Sequence, residues 1–432
     1  MGRYSFRNTL RSWCITLPLI FFSSSSAFEI LAQPDEINRF DLEQCIGLGL
    51  TNNPEYQSSG FLVEKSNAKI DEAFAGYYPF VNLNSDADAF SKNGGEQRYN
   101  NISTGLTMTY NIFQGFKTKS AYEASKSSYE ADLYRHETNK RILIFNITRA
   151  YYLVLQSERI LRSTEEAVKN SLLHLDFARA KQKAGMATRT DILKSEVEVS
   201  NAELDRIKAS NNLLAAKGSL NQLLGLPSDR RIDLEDDLSD LIEINIQSFD
   251  SLFASAINSR TEIKRYQYLL DAQQNTIRIA KSDLYPSLGT TANYSYAGPE
   301  FSSVRHNWWL GLSLSIPVFK GFSTKARVNQ EEYAYKGLEK EYEVIKQQIS
   351  QEVWNALLAV KESVERISAS SKALESAREH LLLAEGEYRE GVGSIIQLTD
   401  AQTTFVAAEQ NYIYALSDYK ISHAELERTI GN

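Results

Sequence analysis

The chain has 432 residues, of which 42% are hydrophobic and 24% charged, and its formal net charge is −8. This much apolar material can build a large core, which excludes wholesale disorder, and the negative charge argues against a nucleic-acid binder. Two cysteines and five scattered histidines offer neither a disulfide framework nor the spacing of metal ligands.

Residues 1–27 have the pattern of a secretory signal peptide. A basic segment is followed by the apolar run WCITLPLIFF and then by serines, with Ser25 and Ala27 at the small positions that a signal peptidase reads. The apolar run is too short to span a hydrocarbon core of about 30 Å, which favours cleavage over a membrane anchor. We therefore expect the mature chain to begin near Phe28.

The remaining sequence contains an internal duplication. The segment GLTMTYNIFQGFKTK at 105–119 recurs as GLSLSIPVFKGFSTK at 311–325, and Gly185 recurs as Gly391 at the same spacing. A shared spacing of this length is too long for a solenoid unit. The chain is therefore predicted to consist of two equivalent halves.

Each half contains two predicted amphipathic strands, at 81–89 and 102–112 and again at 288–296 and 308–318. Apolar residues alternate with Asn, Asp, Ser, Thr and Gly, and this length and period are typical of outer-membrane barrel strands. The alternative is a soluble antiparallel sheet, but polar faces without Lys or Arg favour a wet lumen. Aromatic side chains expected to face lipid are Tyr110, Tyr294, Tyr296 and Trp308.

A very long helix is predicted after each pair of strands. No Gly or Pro lies between Gly115 and Gly185, no Pro follows Pro317, and apolar residues recur every three or four positions, as a coiled coil requires. A helix of about 65 residues is roughly 100 Å long. Gly185 and Gly391 then end the two helices, and the chain turns back. The predicted returning segments are 190–224, 252–283 and 394–430, and 42–75 is a helix equivalent to 252–283.

These features together resemble the TolC family of outer membrane efflux proteins. The resemblance rests on F-x-G-F at 113–116 and 319–322, G-x-x-[ST] at 185–188 and 391–394, and LLGLP at 223–227. It implies an α+β membrane protein with an internal tandem duplication. Three chains, each giving four strands, would form a 12-stranded β-barrel that continues as a long antiparallel coiled-coil helical barrel in the periplasm.

The resemblance also implies a domain division. The parts are a signal peptide (1–27), a first repeat (28–227) with a β-hairpin at about 80–113 and a helical hairpin at about 117–224, an equatorial loop-rich insertion (228–249), and a second repeat (250–432) with a β-hairpin at about 286–319 and a helical hairpin at about 323–430.

By the same resemblance, the protein is the exit duct of a tripartite efflux or type I secretion system, in the outer membrane with a periplasmic extension. Its partners would be two further copies, outer membrane lipid, a periplasmic adaptor (membrane fusion protein), and an inner-membrane transporter, either a proton-driven pump or an ABC transporter. No catalytic, cofactor-binding or metal site is expected, because the sequence lacks the motifs of such sites. The alternative is a soluble periplasmic coiled-coil adaptor or scaffold, which would not need the amphipathic strands.

The functional residues implied by the resemblance lie at the helix ends. Adaptor docking is expected at Gly185, Thr188, Gly391 and Ser394. A periplasmic gate is expected at Asp191, Tyr388, Gln397 and Asp400. In the family a basic residue two positions after the second glycine helps to hold the gate shut, whereas this chain has Gly393 there. Three copies of Asp400 around a narrow pore would favour cations, while the alternative is a solvated surface charge.

Overall fold

The computed structural model describes residues 39–92, 97–239 and 247–431, so the predicted signal peptide lies outside the described residues. The elements in chain order are β1 (Arg39–Phe40), α1 (Leu42–Asn52), α2 (Pro54–Ala75), β2 (Phe80–Lys92), β3 (Gln97–Gln114), α3 (Lys117–Lys183), α4 (Arg189–Leu223), β4 (Asp233–Leu234), α5 (Phe249–Ser259), α6 (Thr261–Ser282), β5 (Ser287–Gly298), β6 (Arg305–Ser315), α7 (Ser323–Glu390) and α8 (Ile395–Ile430).

The four long strands form one antiparallel sheet in the order β2-β3-β5-β6. The central pair, β3 and β5, joins the hairpin of one repeat to the hairpin of the other. β6 ends at Ser315, three residues before the end of the predicted strand. Pro317 explains the early end, because proline has no N–H to donate and restricts the residue before it.

The two longest helices dominate the fold. α3 and α7 contain 67 and 68 residues, which at 1.5 Å per residue makes each about 100 Å long. α3 packs along α4 and α6, and α7 packs along α8 and α6. In the described part of the chain, no helix carries an apolar stretch of the length that a bilayer crossing requires.

The main core lies where α1, α3, α4 and the small parallel sheet of β1 and β4 meet. Tyr151 of α3 is 1% exposed, and its hydroxyl donates a 2.6 Å hydrogen bond to the carbonyl of Glu235. Cys45 of α1 is fully buried in the same cluster, as expected for an apolar filler residue. Burial and the nearby carboxylate of Asp41 raise the pKa of Cys45 to about 11, so its thiol is protonated at neutral pH.

The segments 42–75 and 252–283 are each two helices rather than the single helix that the sequence predicts. Asn53 and Arg260 interrupt them with extended backbone at equivalent positions of the two repeats. In the first repeat the interruption follows from Pro54, which disfavours helical geometry at the preceding residue. In the second repeat no proline is present, and the packing of the Arg260 side chain accompanies the break.

Arg260 is a buried charge that joins two carboxylates. It is 4% exposed, and its guanidinium donates to Glu262 at the start of α6 and to Glu352 of α7. Burial by itself would raise the pKa of Glu262, but the hydrogen bond and positive charge of Arg260 outweigh burial and lower that pKa below its usual value. The ion pair of Arg260 with Glu262 and Glu352 therefore connects α6 to α7.

The F-x-G-F segments are the junctions between sheet and long helix. Phe116 and Phe322 directly precede α3 and α7 and have φ angles of 66° and 64°, in the left-handed region that bulky residues rarely adopt. In each repeat the two phenylalanine rings of the motif pack edge to face, with centroids 5.3 and 5.5 Å apart. The aromatic pair accompanies the sharp change of direction at each junction.

Candidate functional site at the tips of the long helices

The first candidate tip is the turn between α3 and α4. Gly185 has a φ of 74°, and the N–H of Met186 donates to the carbonyl of Lys181 across the turn, at 2.8 Å. Thr188 is the N-cap of α4. Because a side chain would be strained at this φ, the glycine is explained by helix termination alone. Met186 is 68% exposed, so the turn presents one apolar side chain to its surroundings.

The second tip, between α7 and α8, has the same design. Gly391 has a φ of 85°, and Ser394 is the N-cap of α8. Val392, which is 82% exposed, takes the place that Met186 has in the first tip. A Cβ at Gly393 would lie 2.9 Å from the Cβ of Glu387 and 3.0 Å from the backbone nitrogen of Tyr388. The tip has no room for a basic side chain at 393 without rearrangement.

Two of the predicted gate residues form capping boxes in their own helices. Asp191 accepts hydrogen bonds from the backbone N–H and the hydroxyl of Thr188, at 2.8 and 2.9 Å. The side-chain carbonyl of Gln397 accepts the equivalent bonds from Ser394, at 2.8 and 3.1 Å. These bonds satisfy N–H groups that a helix start leaves free. The structure thus gives both residues a role in fixing the turns.

Tyr388 is the predicted gate residue that contacts the other repeat. It is 5% exposed, and its hydroxyl is buried without a hydrogen-bond partner. Burial, and then the charge of Asp191, raise the pKa of Tyr388 above its ordinary value. Lys181 of α3 donates a hydrogen bond to the backbone carbonyl of Tyr388, and its ammonium lies 4.5 Å from the centre of the Tyr388 ring. Lys181 was not among the predicted site residues.

The fourth predicted gate residue, Asp400, is exposed on α8 next to the buried Ala401. Its backbone carbonyl accepts a hydrogen bond from the hydroxyl of Thr404, at 2.8 Å. Within the described ranges its carboxylate forms no ion pair or hydrogen bond. It is therefore an available charge, unlike the carboxylate of Asp191.

A buried histidine of α3, about three turns before the first tip, was also not among the predicted site residues. His174 of α3 is 4% exposed and lies between two carboxylates, with Nδ1 3.8 Å from Glu198 of α4 and Nε2 3.8 Å from Glu385 of α7. The Nδ1 atom and both carboxylate oxygens of Glu198 are buried without hydrogen-bond partners. No sequence signal distinguishes this histidine from the other four.

The register of the sheet places the four predicted lipid-facing aromatics on one face. Tyr294 lies opposite Trp308 on one side and Leu106 on the other, and Tyr110 lies opposite Thr290. Because side chains at every second strand position share a face, Tyr296 belongs to this face too. The hydroxyls of Tyr294 and Tyr296 are 3.1 Å apart.

The other face of the sheet is polar except for two aromatic side chains, Phe80 and Trp309, which the prediction did not include. It carries small and polar residues, among them Asn82, Asp86, Thr107 and Ser295, and at its lower margin Phe80. Trp309 pairs with Asn293 and therefore projects from this face, in the direction opposite to its neighbour Trp308. Arg305, at the start of β6, also lies on the polar face, so this face is not free of basic residues as the shorter predicted strands suggested.

Comparison with known proteins identifies what this architecture resembles. A family model described as outer membrane efflux protein matches residues 46–226 and again 252–432. Since one model matches twice, the predicted internal duplication is confirmed.

Individual relatives agree over most of their length. Outer membrane protein TolC of Escherichia coli (strain K12) is 24% identical over 436 residues, which cover 96% of this chain and 86% of the relative. The probable efflux pump outer membrane protein TtgC of Pseudomonas putida is 24% identical over 415 residues, covering 90% and 82%. Among solved structures, the Campylobacter jejuni CmeC outer membrane channel has a TM-score of 0.81 at 18% identity, covering 90% of this chain and 85% of that one. The chain thus has the fold of these channels.

Proposed function

This chain belongs to the outer membrane efflux protein family, and we propose that three copies of it form one continuous conduit from the periplasm through the outer membrane. The protein is an efflux duct and not an enzyme. It conducts cargo passively, so the energy for transport comes from an inner-membrane pump that a periplasmic adaptor connects to the duct.

The observation that carries this proposal is an open sheet with a strongly exposed apolar face. β2 and β6 are the outer strands, and within the described residues the outer edge of each has no partner. On the apolar face Leu83 is 70% exposed, Trp308 70% and Leu312 74%. A face of this kind is stable against hydrocarbon, but unpaired N–H and C=O groups in hydrocarbon cost several kcal/mol each. The sheet must therefore close with strands from other copies.

Three copies suit a conduit better than two. Two copies would supply eight strands, and a barrel of about eight strands has an interior that side chains fill. Three copies supply 12, which lies within the range of about 8 to 26 known for outer membrane barrels. The polar face of the sheet would then line a water-filled lumen, and the long helices would continue the wall below the membrane.

We assign adaptor docking to the two tips, at Gly185 and Thr188 in the first repeat and Gly391 and Ser394 in the second. Both turns are held by capping boxes and left-handed glycines, so they offer a fixed backbone shape. The exposed side chains of Met186 and Val392 give each turn an apolar anchor, the kind of residue that dominates protein interfaces. An adaptor of this duct would carry apolar pockets for both.

The gate is assigned to Asp191, Tyr388, Gln397 and Asp400. Asp191 and Gln397 would set the shape of the tips that close the conduit, and Tyr388 would pack between the repeats. Asp400 has the free carboxylate that a charged constriction requires, and three copies of it would attract cations and repel anions. The basic residue that helps to hold the gate shut in the family is absent here, because the position is Gly393. A closed gate in this chain would therefore need a cation from another residue.

The purified mature protein, reconstituted in a planar bilayer, tests the function and the Asp400 ring together. We expect ion-conducting channels that favour K⁺ over Cl⁻, and a substantially lower cation preference in Asp400→Asn. Asp250→Asn, which removes an exposed carboxylate from the short helix α5, is the matched control and should behave as the unchanged protein.

The outcomes separate two claims. A protein that stays monomeric in buffer without detergent, and conducts no ions, would contradict the duct. Channels whose ion preference is the same in Asp400→Asn as in the unchanged protein would remove Asp400 from the gate while leaving the duct in place.

A further inference from the structure

The contacts between the two tips run along one seam between α3 and α7. Three residues of α3 spaced by three or four positions face this seam: His174, Phe177 and Lys181. They meet Glu385, Arg389 and Tyr388 of α7, with 3.8 Å between His174 and Glu385 and 5.8 Å between the Arg389 guanidinium and the Phe177 ring. Positions with this spacing lie on one face of a helix.

The seam is formed by side chains rather than by close helix packing. α3 packs extensively on α4, and α7 on α8. The two hairpins also meet where α3 packs along α8, but the backbones of α3 and α7 approach each other only sparsely. A small cavity of about 80 Å³, lined by residues that include His174, Phe177 and Tyr388, remains within the seam. The α3–α7 seam therefore joins the two tips through side chains, and it is the joint at which we expect the tips to separate.

Lys181 joins α3 directly to the end of α7. Its ammonium donates to the carbonyl of Tyr388, lies over the ring of the same residue, and is 3.9 Å from where a Cβ of Gly391 would be. Within the described residues Lys181 forms no ion pair with a carboxylate. Its charge is thus directed entirely at the end of α7, where the last carbonyls of a helix carry partial negative charge.

We propose that Lys181 is the cation that locks the two tips together and holds the conduit closed, in place of the base that is missing at Gly393. This inference rests on the proposed function and names the residue that regulates it. Tyr388 contributes its backbone carbonyl and its ring to the lock. Its hydroxyl contributes nothing, because it is buried without a hydrogen-bond partner. Lys181 acts by positioning the tips and does not touch the cargo.

Four variants in the planar bilayer test this assignment. Lys181→Met keeps the aliphatic stem but removes the charge, and should shift the channels towards the conducting state by about tenfold, as expected for the loss of a hydrogen bond to a charged group. Lys181→Arg should keep the channels closed, because it keeps both the charge and the donors. Tyr388→Phe should resemble the unchanged protein. The matched control is Lys183→Met, because Lys183 lies in the same turn, is exposed and has no partner within the described residues.

Hydrogen exchange separates a failure of the lock from a failure of the duct. In Lys181→Met the amides of the two tips, around 181–191 and 388–394, should exchange faster than in the Lys183→Met control, whether or not the protein conducts. Unchanged exchange and unchanged conductance in Lys181→Met would overturn the proposal. So would equal effects of Lys181→Met and Lys183→Met, or channels opened by Tyr388→Phe, since the last result would assign the lock to the hydroxyl. A lack of channels in the unchanged protein would contradict the proposed function. The comparison of amide exchange between Lys181→Met and Lys183→Met would still test whether Lys181 holds the two tips together.

Discussion

Arg260→Met should destabilise the protein by about 1.5–3 kcal/mol, the usual contribution of hydrogen bonds to a charged group. The variant leaves Glu262 and Glu352, whose side chains are 22% and 41% exposed, without their shared guanidinium. Among the described residues, only Arg428, 3.8 Å from Glu352, then remains as a nearby cation. The two carboxylates would then repel each other at the contact between α6 and α7. The loss can be measured as a lower midpoint of thermal unfolding, followed by the helical circular dichroism of the protein in detergent.

An exposed ion pair provides the control for this prediction. Arg327 of α7 pairs with Asp283 at 3.4 Å, and its side chain is 57% exposed. Arg327→Met should cost less than about 1 kcal/mol, because water screens and solvates such a pair. Adding Glu262→Gln and Glu352→Gln to Arg260→Met should recover part of the loss. Equal effects of Arg260→Met and Arg327→Met would show that Arg260 does not hold α6 to α7.

Leu312→Arg should prevent stable insertion of the barrel, whereas Ser313→Arg should be tolerated. Leu312 lies on the apolar face of β6 and Ser313 on the polar face, so the two substitutions add the same charge at neighbouring positions on opposite sides. An arginine on the lipid face costs about 2–4 kcal/mol near the middle of the bilayer, and the proposed trimer would carry three of them. A charge in a water-filled lumen has no such cost.

The measurement for this pair is the fraction of each variant that forms a heat-modifiable trimer in outer membrane fractions. We expect a strong reduction for Leu312→Arg and near-normal amounts for Ser313→Arg. The reverse order would mean that the two faces of the sheet have been assigned the wrong way round. Similar amounts of both would mean that neither face contacts lipid.

The features that the sequence predicts correctly are those that follow from the local periodicity of apolar residues. Alternation with period two marks the faces of the strands, and residues such as Leu312 and Tyr294 therefore lie on the face that the sequence predicts. The duplication was visible because Gly185 and Gly391 end both long helices, where only a residue that tolerates positive φ fits well. These signals act on the chain locally and do not depend on distant contacts.

The features that the sequence did not predict depend on distant contacts. The helix break at Arg260 has no proline to signal it, and the buried contacts of that residue come from elements far apart in the chain. In the same way, Lys181 is one lysine among many until the fold places it against Tyr388. A side chain at position 393 would also require the tip to rearrange, because its Cβ would lie 2.9 Å from the Cβ of Glu387.

The central claim is that one face of the sheet contacts lipid and the other lines a lumen, and Trp308 and Trp309 test it most directly. Without residues 1–27, the predicted signal peptide, the chain has one other tryptophan, Trp354, so single-tryptophan proteins need only two substitutions to phenylalanine. In the reconstituted protein we expect brominated lipid to quench the fluorescence of Trp308 and a water-soluble quencher to quench that of Trp309. Equal quenching of both tryptophans by the water-soluble agent, with no effect of brominated lipid, would contradict the account.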